Sequence, residues 1–291
     1  MMPALSPRLQ VLAAGACFSF GGALIKACSF PALERAGLRS IVAALTLFAL
    51  LPEARRLPTR AILLLAIPYF LATTLFVVAN TLTTAANAIF LQSTYPLWVT
   101  LLGPWLLREK VRARDLWMLA SIMVGMTFFF VAPQSVSATA PEPRLGDIIA
   151  IISGVSLGLL LIGYRWLGAK GQGEQCAAVA WGNACTAPAA LLLAPFVGQP
   201  LTLGDAKSWI SILLLGTVQL GLSYALLVRA MPKVRAVEAS LLLMLEPALN
   251  PFLAYVMHDE VPHPLAITGG VIILGAVAVG SLASTKSPGD A

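Results

Sequence analysis

Charged side chains are scarce in this chain: Asp, Glu, Lys and Arg supply 11% of its 291 residues, against 58% hydrophobic ones. A soluble domain carries roughly 25% charged residues, so a water-soluble fold is excluded. Histidine is scarcer still. His258 and His263 stand alone at one edge, which leaves no imidazole base at the depth where an intramembrane hydrolase would work. The four cysteines, Cys17, Cys28, Cys176 and Cys185, have no C-x-x-C spacing, which argues against a redox or zinc motif and leaves them as small packing thiols. Period-two alternation is also missing, and with it the signature of a membrane β-barrel.

What the chain does have is long Leu-, Ala- and Gly-rich runs, and these predict an all-α membrane protein. Ten runs approach the ~20 residues needed to cross a bilayer: Leu9 to Ser29, Ala36 to Leu51, Ala61 to Asn80, Thr84 to Leu107, Asp115 to Ala132, Gly146 to Tyr164, Gln175 to Val197, Ser208 to Val228, Ala236 to Met257 and Leu265 to Ala283. They use most of the chain, so no separate soluble domain fits. Arg8 followed by an apolar run and Ala14-Gly15-Ala16 superficially matches a cleavable signal, but the run continues past that site.

The net charge of +6 is sorted by loop rather than gathered into a nucleic-acid-binding patch. With the N-terminus set in the cytoplasm, only Lys26, Arg35, Arg39, Arg144 and Lys207 of the 19 Lys and Arg fall outside or near an outer helix end. The positive-inside rule therefore predicts an inner (plasma) membrane protein with both termini cytoplasmic and an even number of spans.

The ninth run, ASLLLMLEPALNPFLAYVMHDE from Ala239 to Glu260, places a carboxylate and two prolines among apolar residues. Glu246 falls near the middle of that run, where an acid is costly in lipid. Pro247 and Pro251 each remove a backbone donor and displace the carbonyl four residues earlier. Such a broken helix persists only where protein or a watery cavity satisfies the freed groups, so this element should face the interior of a bundle.

A shift of 151 lays Ala88 to Glu109 on Ala239 to Glu260, with Pro96 on Pro247 and Glu109 on Glu260. A shift of 137 lays Cys17-x-x-x-Gly21 on Gly154-x-x-x-Gly158, small residues four apart that allow close helix approach. The chain thus reads as two five-helix repeats, residues 1–140 (with a Pro/Ala/Ser-rich extracytoplasmic linker at 133–144) and 141–291, forming one transmembrane domain. Five crossings per copy make the repeats inverted, an architecture of alternating-access transporters that bind near the midplane. Pro96 and Pro247 mark expected hinges.

Polar residues that share a helix face inside the apolar runs are the candidates for a cavity lining. Glu246 with Asn250 would hold an amino group, or Glu246 would exchange a proton. Gln219 and Ser223, beside Tyr224, share a face of the eighth run, and Thr73 and Asn80 share one in the third. Gln92, Tyr95 and Trp98 in the fourth offer polar groups and ring faces to a flat or cationic ligand. Ser156 in the sixth is more simply a packing residue, and Lys26 either meets a substrate carboxylate or snorkels to the headgroups. His258, Asp259, Glu260 and His263 read as a solvated outer turn rather than a metal site, and no metal or cofactor is expected.

In these features, Ser19-Phe20-Gly21 with Ile25-Lys26, Arg39 opening the second run, and the Pro96…Glu109 and Pro247…Glu260 pairs, the chain resembles the EamA branch of the drug/metabolite transporter superfamily, along essentially its whole length. The resemblance implies ten transmembrane helices around a central cavity and export of small metabolites. Within the branch the chain is most similar to aromatic amino acid exporters, which implies aromatic and other amino acids as substrates. Membrane lipid is its expected surroundings, and the sequence leaves a monomer or an oligomer open. Other small metabolites, or cationic drugs such as methyl viologen, are the alternative cargo, and an intramembrane enzyme is the alternative class.

Overall fold

The computed structural model describes residues 5–83, 85–131, 141–171, 173–199, 201–249 and 264–285, and these form helices joined by short connections. The first is α1, Pro7–Phe18, capped by the Ser6 hydroxyl accepting from the Leu9 amide and started by a proline that has no N–H to leave unpaired. Ser19 and Phe20 turn it into the short α2, Gly21–Lys26. Then follow α3, Ala32–Leu50, and α4, Arg60–Leu82, the latter capped by Thr59.

The fourth apolar run is broken in two, α5 at Ala85–Gln92 and α6 at Tyr95–Leu107, with Ser93 and Thr94 as a turn between them. Pro96 lies at the start of α6, where its missing donor costs nothing. After α7, Ala113–Val131, come the long α8, Pro143–Ala169, and α9, Glu174–Phe196. The eighth run comprises α10, Ala206–Leu214, a π-helical segment, Leu215–Leu222, and α11, Ser223–Ala230. The ninth is interrupted like the fourth: α12, Ala236–Leu242, then a turn at Leu243 and Met244, then helix over 245–249 with Pro247 near its start. The last helix is α13, Pro264–Thr285.

Among the described residues, five helical stretches are long and apolar enough to cross a membrane: Pro7–Ile25, Arg60–Leu82, Pro143–Ala169, Glu174–Phe196 and Ala206–Ala230. Three of the other expected spans differ from a plain apolar helix for local reasons. Helix α3 carries Glu34, Arg35 and Arg39, and the fourth and ninth runs are each split by a turn.

The bundle is apolar outside, and its largely apolar interior also holds polar side chains. Trp105, Trp117, Leu192 and Phe196 are exposed, whereas Ser40, Ser153, Asn183 and Thr186 are wholly buried. Burying hydroxyls and amides while presenting Trp and Leu is the arrangement that lipid rather than water favours. Helix α4 packs on α8 and α9, α3 on α9, and α7 on α13.

The glycines set the tightest approaches. A Cβ on Gly154 would lie 2.6 Å from the Gln92 carbonyl oxygen, and one on Gly158 would lie 3.0 Å from the Trp98 Cβ. Helix α8 therefore seats its small-residue stripe on the broken joint between α5 and α6. Gly15 of α1 faces Leu243 and Leu245 at the other joint, so each small-residue helix packs on the interrupted run of the opposite half.

Candidate functional site

Both joints open on one cavity. Its walls include Phe18 of α1, Arg39 of α3, Thr73 and Phe76 of α4, Gln92 of α5, Tyr95 of α6, Gln219 of the π-helical segment, Tyr224 of α11, and Glu246. The helix breaks bring Gln92, Tyr95 and Glu246 to this lining, and the unbroken α3 and α4 add Arg39 and Thr73. The free space is about 40 Å³, enough for a few waters.

Glu246 is half-buried at this cavity; its backbone N–H donates to the Leu243 carbonyl at 2.9 Å, while its carboxylate makes no hydrogen bond or ion pair with a described residue. Tyr224 lies within electrostatic reach of both Glu246 and Arg39. It is also the hub of an aromatic cluster, with Phe18 edge-on at 4.9 Å, Tyr69 tilted at 5.4 Å and Tyr164 edge-on at 6.2 Å. The Tyr95 hydroxyl and the Gln219 carbonyl oxygen are buried with no hydrogen-bond partner among the described residues. Gly21 makes the space for that amide, since a Cβ there would meet the Gln219 Nε2 at 3.0 Å.

Of the residues expected from sequence, Thr73, Gln92, Tyr95, Gln219 and Glu246 meet at the cavity. The Gln92 amide is partly committed elsewhere, donating to the Ser153 hydroxyl at 2.7 Å and to the Ala72 carbonyl at 3.2 Å, which ties α5 to α8 and α4. The Thr73 hydroxyl donates to the Tyr69 carbonyl at 2.8 Å.

Four expected residues do not line the cavity. Trp98 turns its indole N–H to the Thr94 hydroxyl at 3.3 Å, Asn80 donates to the Phe76 carbonyl of its own helix at 2.8 Å, and the Ser156 and Ser223 hydroxyls donate to the Ile152 and Val218 carbonyls. These short polar side chains satisfy themselves on the preceding turn, as serine and asparagine in apolar helices commonly do. Asn250, Pro251, and the turn holding His258, Asp259, Glu260 and His263 lie outside the described residues, as does the side chain of Lys26.

Two features went unread in the sequence. Gly154-Val155-Ser156-Leu157-Gly158 spells G-x-S-x-G, which in hydrolases marks a nucleophile on a strained turn between strand and helix. Here it lies in mid-helix within α8, with the Ser156 hydroxyl spent on the backbone, so the spelling carries no nucleophile elbow. The second is Arg39, assigned to an outer helix end. It is the eighth residue of α3, about 10 Å along the helix axis, and 1% exposed.

The model of the EamA-like transporter family matches residues 6–131 and again residues 144–282. The chain belongs to the EamA-like transporter family. The family is built from two repeats, in keeping with the paired matches, and its members are integral membrane transporters of small molecules. A solved crystal structure has the same fold, with a TM-score of 0.76 at 17% identity over 97% of this chain and 99% of the other. No curated protein matches in sequence.

Proposed function

We propose that this EamA-family transporter exports amino acids, aromatic ones above all, across the inner membrane by alternating access. Its working parts would be ten spans in two inverted five-helix halves, residues 1–140 and 141–291, with both termini in the cytoplasm. The observation that carries the reading is the pairing, in one cavity, of a carboxylate with no hydrogen bond or ion pair among the described residues and a wall of rings. Glu246 suits an ammonium group, and Phe18, Phe76, Tyr95 and Tyr224 suit a flat apolar side chain. The space between them is far smaller than the ~300 Å³ or more of a typical ligand pocket, which fits a carrier caught closed around its site. Pro96 and Pro247 begin the helices that would have to swing. An organic dication such as methyl viologen would find Glu246 but also the buried Arg39, whose charge opposes it.

Counterflow in liposomes tests the proposal. Reconstituted protein should exchange labelled tryptophan, with threonine competing weakly and a sugar nucleotide or methyl viologen hardly at all. Preparations that exchange methyl viologen but not tryptophan would overturn the amino acid reading and leave the family membership standing.

A further inference from the structure

Arg39 heads the large side chains that are fully buried in the bundle. A guanidinium offers five N–H donors, and here a single hydrogen bond accounts for one nitrogen: Nη2 donates to the Thr73 carbonyl at 2.7 Å. Nε and Nη1 are buried with no partner among the described residues, while the side chain lines the central cavity.

Among the described residues, neither Glu34 nor Glu246 pairs with this guanidinium. Both oxygens of Glu34 accept from the Thr202 amide at 3.0 Å, and one also accepts from the Thr202 hydroxyl. Glu246 shares the cavity with Arg39 yet forms no ion pair with it. Arg35, one turn earlier on α3, leaves only Nε buried without a partner among the described residues, its Nη2 donating to the Cys28 and Phe30 carbonyls at 2.9 and 2.6 Å, whereas Arg39 leaves two nitrogens so. A tie between α3 and α4 would account for one nitrogen of Arg39 and leave two charged donors stranded, a costly arrangement in a buried site.

We propose that Arg39 is the carboxylate receptor of this cavity. Its unpaired donors bind the α-carboxylate of the substrate as a planar fork, while Glu246 holds the ammonium and the ring lies among Phe18, Phe76 and Tyr224. This rests on the amino acid reading above and extends it: the cavity reads both charged ends of a zwitterion, so an amine without a carboxylate is discriminated against. The role expected of Lys26 passes to Arg39, on the following helix, α3. A guanidinium fork matches a carboxylate in two parallel bonds, which a lysine cannot reproduce.

The test is equilibrium binding of tryptophan and tryptamine, which differ by the carboxylate alone, to purified full-length protein and to the variants Arg39→Gln and Arg39→Lys. Wild type should prefer tryptophan at least tenfold, about 1.4 kcal/mol. R39Q should bring the ratio below threefold, and R39K should fall between. A wild-type ratio near one, or an R39Q ratio equal to that of wild type, overturns the proposal, and so does a parallel loss of both ligands in R39Q. Should R39Q not survive purification, the wild-type preference for tryptophan over tryptophanamide decides in its place, a ratio near one again being fatal. Protein that binds neither indole compound sinks the aromatic amino acid reading itself, whereas equal binding of both spares that reading and removes Arg39 alone.

Discussion

A carboxylate and a guanidinium that share a cavity without pairing are two unmet demands, and each predicts its own ligand preference. For Glu246 the demand is a cation. Glu246→Gln should weaken tryptophan binding about tenfold or more, the scale of a hydrogen bond to a charged group, while indole-3-propionate, which lacks the ammonium, should bind as well as before or better. Equal losses for the two ligands would show that Glu246 shapes the cavity without touching the amino group. Proton exchange by the same carboxylate makes a separate demand, that the pH dependence of counterflow vanish in E246Q; an unchanged profile would leave Glu246 a fixed counter-charge.

Glu246 was legible in the sequence because an acid beside two prolines in an apolar run has no cheap alternative to an interior position. Arg39 was not, and the reason is local. Its neighbours Glu34 and Arg35 look like the solvated start of a helix, but each is buried by bonds from elsewhere, Glu34 by Thr202 of a distant loop and Arg35 by carbonyls just before α3. Those bonds let α3 begin at Ala32 rather than Ala36 and carry Arg39 inward. Trp98 failed in the opposite sense, since ring type alone does not say which way a side chain on α6 points.

At the scale of the element, the fold depends on where backbones touch. Gly154 presses on a backbone oxygen that cannot swing aside, so Gly154→Ala should cost about 1–3 kcal/mol, as overpacking of a close-packed interior does. Gly275, where an added Cβ would meet nothing within 4 Å, supplies the control: Gly275→Ala should be neutral or stabilising, because alanine is the better helix former. Thermal unfolding in detergent reads the contrast, with G154A melting several degrees below wild type and G275A not below it; equal melting temperatures would mean that the joint between α5 and α6 gives way freely. The small-residue spacing in α8 and the proline in each interrupted run announced these contacts in sequence. The π-helical segment did not announce itself. Gly216 and Gly221 lie against Val42 and Thr46 of α3, where a Cβ would come within 2.4 and 2.6 Å of those side chains, and a sequence shows the glycines without the helix that presses on them.

For the whole molecule, the bonds between the two family-matched segments differ at the two ends of the bundle. At one end they are ionic. Glu109 accepts from the Arg165 Nε at 2.6 Å and from the Ala236 amide at 3.1 Å, Arg235 meets both oxygens of Asp115, and Arg8 meets Glu238 at 2.7 Å. At the other end they are made by loop and helix-start groups, among them the Thr202 amide on Glu34, the Leu33 amide on the Gln199 side chain, and the Ser29 and Ser208 hydroxyls on each other. A carrier that opens alternately must break one set while keeping the other, so weakening the ionic set should favour the state open at that end, cytoplasmic in the proposed topology. Glu109→Gln removes an ionic acceptor that bridges the two segments, and hydrogen bonds to charged groups contribute roughly 1.5–3 kcal/mol, enough to shift a two-state population about tenfold or more. A cysteine at Thr73, in a chain whose four native cysteines are replaced, reports the shift. With E109Q, a membrane-impermeant thiosulfonate added from the ionic end should label it several-fold faster, and labelling from the opposite end should slow. Rates unchanged from both ends would show that these ion pairs hold the bundle together without gating it.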